Sequence, residues 1–152
     1  MKSLLSLLML TTPAMALANG VVLTSTVFVE KDVTDAQGRK AVVLEEPNVV
    51  TPGDRLVFLL NYRNTDQRPA ADFVVTNPMP AAVAYQGTAD GGAEVSIDGG
   101  RSWGQLGTLK ITEAGGTVRG ARPEDVTHIR WALKQAIPSG SVGKLSFRGI
   151  VR

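Results

Sequence analysis

Few residues of this chain have side chains able to do chemistry, and the sequence does little to bring them together. There is one histidine, His128, and no cysteine. A Ser-His-Asp triad or a zinc site would have to be assembled around His128, and no spacing in the sequence sets a nucleophile or further ligands beside it. From His128 to Lys134 the residues alternate, with Ile129, Trp131 and Leu133 on one side and His128, Arg130, Ala132 and Lys134 on the other. That period of two describes a half-buried strand whose polar face carries a solvated histidine. The absence of thiols removes cysteine nucleophiles, cysteine metal sites and the acylated cysteine of a lipoprotein. Acids are paired at Glu45-Glu46 and Glu124-Asp125, each next to a proline-containing loop. Two carboxylates held across a cleft can hydrolyse a glycosidic bond. Here no cleft is predicted, successive strand residues point to opposite faces, and both pairs read as solvated loop carboxylates. No glycine-rich phosphate loop is present. The expectation is a protein with no catalytic residue, no cofactor and no metal.

The most specific local pattern is Ser96-Ile97-Asp98-Gly99-Gly100-Arg101-Ser102-Trp103. It resembles the Asp-box, a Ser-x-Asp-x-Gly-x-Thr-Trp hairpin of sialidase-like propellers, with Ser102 where threonine is usual. Aspartate and hydroxyl oxygens accept backbone donors in such a turn, glycines admit positive φ, and the tryptophan covers the hairpin base. A propeller needs several blades, and one box in a chain of 152 residues cannot build them. Ser96, Asp98, Gly100, Ser102 and Trp103 are therefore expected to form a structural turn. Carbohydrate contact is a second reading, and calcium a third. Asp90 and Asp98, each followed by two glycines, could offer oxygen ligands, although two carboxylates are too few for a dedicated site.

The elements that must carry these residues read as strands. Short runs rich in Val, Ile, Leu, Thr and Phe alternate with clusters of Gly, Pro, Asn and Asp, the mark of strands and turns. Strands are predicted over Val21 to Val33, Ala41 to Glu46, Arg55 to Arg63, Ala71 to Asn77, Val83 to Ala89, Ala93 to Ile97, Leu106 to Ile111, His128 to Lys134 and Ser141 to Val151. Asp35-Ala36-Gln37-Gly38 closes a hairpin between the first two. In Arg55 to Arg63 both faces are apolar, Leu56, Phe58, Leu60 and Tyr62 on one and Val57 and Leu59 on the other, which places that strand centrally. The one helical candidate is a turn near Arg122 to Val126. Strands at this spacing predict a single all-β domain, an antiparallel sandwich or barrel.

The first eighteen residues have the form of a cleavable signal peptide: Lys2, an apolar stretch from Leu4 to Leu10, and the small-x-small pattern Ala16-Leu17-Ala18. A cut before Asn19 is expected, with a second possible cut after Ala14-Met15-Ala16. The apolar run is too short for a membrane span. Lys and Arg number 16 and Asp and Glu 14, and loss of Lys2 leaves the mature chain near neutrality. The cations are scattered without basic runs or interleaved aromatics, so a nucleic-acid partner is not indicated.

Thr51-Pro52-Gly53-Asp54-Arg55-Leu56-Val57-Phe58, then Asn61-Tyr62-Arg63-Asn64, Phe73-Val74-Val75-Thr76-Asn77-Pro78-Met79-Pro80 and Val83-Ala84-Tyr85, resemble the conserved-repeat family catalogued as domain of unknown function eleven. The resemblance spans residues 49–152, with Asn77-Pro78-Met79-Pro80 in place of that family's Asp-x-Leu-Pro. It implies an immunoglobulin-like β-sandwich of bacterial and archaeal secreted or surface proteins. Residues 19–48 then form an N-terminal strand pair or extension. The functional expectation is a non-enzymatic exported module, periplasmic or extracellular, without an evident anchor and with a structural or interaction role toward a protein partner or a copy of itself. Two alternatives accompany it: a carbohydrate-binding module or small carbohydrate-active enzyme binding polysaccharide, and a filament subunit assembled by exchange of the strand from Val21 to Val33.

Overall fold

The structure, a computed structural model, describes residues 16–18, 20–89 and 91–152. The apolar stretch of the leader and the calcium candidate Asp90 lie outside the described residues. Among the described residues eleven strands follow in chain order: β1 (Ala16–Ala18), β2 (Val21–Thr34), β3 (Lys40–Glu45), β4 (Arg55–Asn64), β5 (Val74–Pro78), β6 (Val83–Thr88), β7 (Ala93–Ser96), β8 (Lys110–Thr112), β9 (Val118–Gly120), β10 (His128–Ala132) and β11 (Val142–Val151). They form a six-stranded sheet ordered β1-β2-β4-β11-β6 with β3 also on β2, a three-stranded sheet β5-β10-β7, and the small hairpin β8-β9. Every pairing is antiparallel. The all-β antiparallel class predicted from the strand-and-turn pattern is the one observed.

Burial follows the period of two. Leu56, Phe58 and Leu60 of β4 point inward and meet Leu145 and Phe147 of β11 and Val29 of β2 from the same sheet. The three-stranded sheet contributes Val75, Ala93, Val95, Ile129 and Trp131 to the same core, so the two sheets pack face to face as a sandwich. Phe58 stacks on Phe147 with ring centroids 4.3 Å apart, and Trp131 leans on Phe147 at 6.2 Å. Each such pair contributes roughly 0.5–1.5 kcal/mol beyond its buried area. β4 is central, between β2 and β11, and Val57 on its outer face is also buried, as its two-sided apolar pattern predicts.

Several boundaries differ from the sequence reading. The run from Leu106 to Ile111 is not one strand: Leu106–Thr108 is a 3-10 turn and only Lys110–Thr112 extends, pairing with β9, which the sequence did not reveal. Phe73 precedes β5, which begins at Val74 and runs on to Pro78 opposite His128. The predicted turn near Arg122 is a single 3-10 turn over Pro123–Asp125. The hairpin at Asp35 forms as predicted, with the Asp35 carboxylate accepting from the amides of Gln37 and Arg39 and Gly38 at φ +79°.

β2 and β3 continue beyond the body. β2 pairs with β4 only from Val21 to Glu30, while β3 pairs with β2 from Val29 to Thr34. The residues past Glu30 form a two-stranded arm. Val33 lies on one face of it and Val42 and Leu44 on the other, the latter two 56% and 51% exposed.

Candidate functional site

The Asp-box-like segment joins β7 to the loop before β8, where the sandwich edge must reverse within a few residues. Asp98 is its centre. One carboxylate oxygen accepts from the amides of Arg101 (3.0 Å) and Ser102 (2.9 Å) and from Ser96 Oγ (2.8 Å), and the other accepts from Ser102 Oγ (2.6 Å). Ser96, fully buried, takes the Gly100 amide on its own oxygen at 2.9 Å. Gly99 and Gly100 stand at φ +79° and +89°, a region closed to most side chains. The hydrogen bonds from Ser102 and Ser96 hold the Asp98 carboxyl well below the ordinary aspartate range. These bonds all face the turn that Asp98 itself organises.

Trp103 turns back over the outer face of the three-stranded sheet. Arg130 places its guanidinium 4.4 Å from the tryptophan ring centroid and donates to Glu94 at 2.6 Å, and His128 meets the ring edge-on at 6.5 Å. His128 also lies 3.1 Å from Thr127 Oγ1. The period-two reading put His128 and Arg130 on one polar face, and that is where they stand. Their convergence with Trp103 was not legible, because the tryptophan arrives from a loop and only sheet pairing brings it near. Glu94, Trp103, His128 and Arg130 thus form one aromatic and charged patch.

The acid pairs do not meet. Glu45 ends β3, and both it and Glu46 are exposed. Asp125 corrects the reading of a solvated loop carboxylate: Arg119 donates to both its oxygens at 2.6 and 3.0 Å, and the Arg122 amide adds a bond at 2.7 Å. The Arg119 guanidinium draws its carboxyl down to about 2. Glu113 takes the remaining edge of Arg119 at 2.7 Å, so the group ties β8-β9 to the 3-10 turn. Among the described residues no group of three or more His, Asp or Glu is placed to hold a metal ion.

Nothing in the sequence singles out Asn64 as a structural pin. This fully buried side chain donates to the carbonyls of Arg68 and Ile137, both at 2.8 Å, and accepts from the Asp66 amide at 2.9 Å. It holds the crossing from the large sheet to the small one. No described helix is long and apolar enough to cross a membrane.

Comparison with family models, curated proteins and solved structures finds no significant match. The resemblance to the conserved-repeat family therefore rests on its motif residues alone. Of these, Pro52-Gly53-Asp54 leads into β4, with Gly53 at φ +96° and the Asp54 carboxylate accepting the Thr51 amide at 2.8 Å, and Asn64 ends the same strand.

Proposed function

We propose that this chain is a non-enzymatic, exported interaction module of immunoglobulin-like sandwich type, acting at the cell envelope or outside the cell on a protein partner or a copy of itself. The observation that carries this reading is the two-stranded arm of β2 and β3, which extends past the body with Val33 on one face and Val42 and Leu44 on the other. A two-stranded hairpin is marginal alone in water, and exposed apolar arms of this kind gain by docking. The polar groups of the Asp-box-like turn and of Asp125 are committed to local hydrogen bonds, which supports a structural part for them over a catalytic one. In the carbohydrate alternative a sugar would stack on Trp103, but Arg130 already occupies one face of that ring.

The test is expression of the full chain followed by cell fractionation and mass spectrometry of the product. The expected product is exported and begins at Asn19. Retention of the uncut chain inside the cell, or turnover of a glycan substrate by the purified protein, would overturn the reading. A glycan array on the wild type and Trp103→Ala decides the carbohydrate alternative: it requires sugar binding that the substitution abolishes while the fold is kept.

A further inference from the structure

The edge of β2 that faces away from β4 is only partly covered. β3 occupies it from Val29 onward and β1 occupies it at Val21 to Leu23, and among the described residues no strand pairs with Thr24 to Phe28. Once the leader is cut after Ala18, β1 is gone and the open edge runs from Val21 to Phe28. This stretch holds no charge, no proline and no glycine, and the described pairing shows no bulge in it, so it lacks the devices that usually blunt a sheet edge. The seat of β1 shows that the edge takes an antiparallel strand.

The run Val22-Leu23-Thr24-Ser25-Thr26-Val27-Phe28 is chemically symmetric about Ser25. Laid antiparallel on itself about a two-fold axis at Ser25 and perpendicular to the sheet, it sets Val22 against Phe28, Leu23 against Val27, and Thr24 against Thr26 of the second copy. Each apolar residue meets an apolar one and each hydroxyl a hydroxyl. The register also respects the faces. Leu23, Ser25 and Val27 share the inner face of β2 and Val22, Thr24, Thr26 and Phe28 the outer, so like faces meet and the two large sheets become one. Val21 of each copy, the first residue of β2, falls against Val29 of the other, where Glu45 ends β3, so that last pair of β3 opens to admit it and the rest of β3 continues beyond. We infer that the mature protein pairs with a second copy of itself through this edge, burying the open backbone groups in a sheet continuous across the dimer. The inference rests on the reading of an exported, cleaved module.

Because the chain has no native cysteine, a single introduced thiol reports the register. In the mature protein, Ser25→Cys should oxidise to a disulfide-linked dimer, since directly facing residues of antiparallel strands sit at a separation near that of a disulfide. Thr26→Cys should cross-link with Thr24→Cys in a mixture more readily than with itself. Thr24→Lys/Thr26→Lys sets two lysines against two and should shift the sedimenting species from dimer to monomer. Thr24→Lys/Thr26→Glu sets each lysine against a glutamate and should restore the dimer. Circular dichroism of each variant confirms that the fold is kept. A mature chain that is monomeric, or whose dimer ignores both double variants and yields no cross-link in the Ser25→Cys variant, overturns the pairing. That outcome leaves the exported-module reading standing, because cleavage and location decide it separately.

Discussion

At the scale of single residues, a few polar side chains pin the turns between strands through hydrogen bonds made inside the molecule. Asn64 is the clearest. Replacing it with alanine removes its bonds to the carbonyls of Arg68 and Ile137 and to the Asp66 amide, of which the Ile137 carbonyl keeps the Ala70 amide, and Asn64→Ala should cost about 1–3 kcal/mol in urea denaturation. Asn64→Asp should cost more, because a carboxylate cannot donate to the carbonyls of Arg68 and Ile137. The sequence showed Asn64 only as a turn residue in a motif. One of its partners, Ile137, is 73 positions away, and no local pattern carries that information. Asp98 was legible for the opposite reason, since the partners of its carboxylate lie within four positions. Asp125 gives a dependence on pH. Its carboxyl is lowered from 3.8 to about 2 in the folded chain by Arg119, so its contribution is present above the unfolded value and is lost as pH falls through about 2. Stability measured from pH 6 to pH 2 should therefore fall at the acid end, and the fall should be shallower in Asp125→Asn. An unchanged profile in that variant would remove the Arg119 pair as the cause.

At the scale of elements, the two apolar faces of β4 marked it as central, while the alternation of β10 did not reveal that it too is central, between β5 and β7. Both faces of β4 are apolar, whereas β10 alternates, and the structure places β4 between two neighbours with Val57 buried on its outer side. The run from Leu106 to Ile111 misled because Leu109-Lys110-Ile111 alternates like a strand. Gly107 sits in a 3-10 turn there, and the extended part is short, paired only with β9. The meeting of β6 and β11 is a place where packing leaves little room. The register slips between Arg148 and Gly149, Gly87 takes φ +111° beside the slip, and a Cβ on Gly149 would fall onto Val83 Cγ1. Gly149→Ala should destabilise by about 1–3 kcal/mol through overpacking. Shortening the neighbour relieves the clash, so Gly149→Ala/Val83→Ala should be less destabilised than the sum of the single variants in a double-mutant cycle. Strict additivity would show that the glycine is needed for its backbone and not for space.

At the scale of the whole molecule, two parts differ in what they owe to the core. The sandwich body places residues of both sheets in one apolar cluster, and β2 belongs to it through Leu23, Val27 and Val29. Its pairing with β4 from Val21 to Glu30 makes it part of its own chain's sheet. The arm beyond Glu30 was not foreseen as a projection, because Val33 shares a face with Val27 and Val29 and so prolongs the pattern of the strand that precedes it. What distinguishes it is the lack of a neighbour, and neighbours are a property of topology. β4 starts at Arg55, opposite Glu30, so among the described strands only β3 pairs with Lys31 to Thr34, and Arg55 reaches Asp32 with its side chain at 2.9 Å. Removal of residues 32–42, with Lys31 joined to Val43 through an Asn-Gly turn, keeps the register in which Lys31 faces Val43 and deletes side chains outside the buried core. The shortened chain should keep its unfolding free energy to within about 0.5 kcal/mol, as surface changes usually do. It should also keep self-pairing through Val22 to Phe28, since that run lies wholly on the body side of Glu30. Thermal unfolding and sedimentation of the shortened chain measure the two together. A large loss of stability would mean that the arm folds as part of the sandwich, and a loss of the dimer alone would move the self-pairing surface from the β2 edge to the arm.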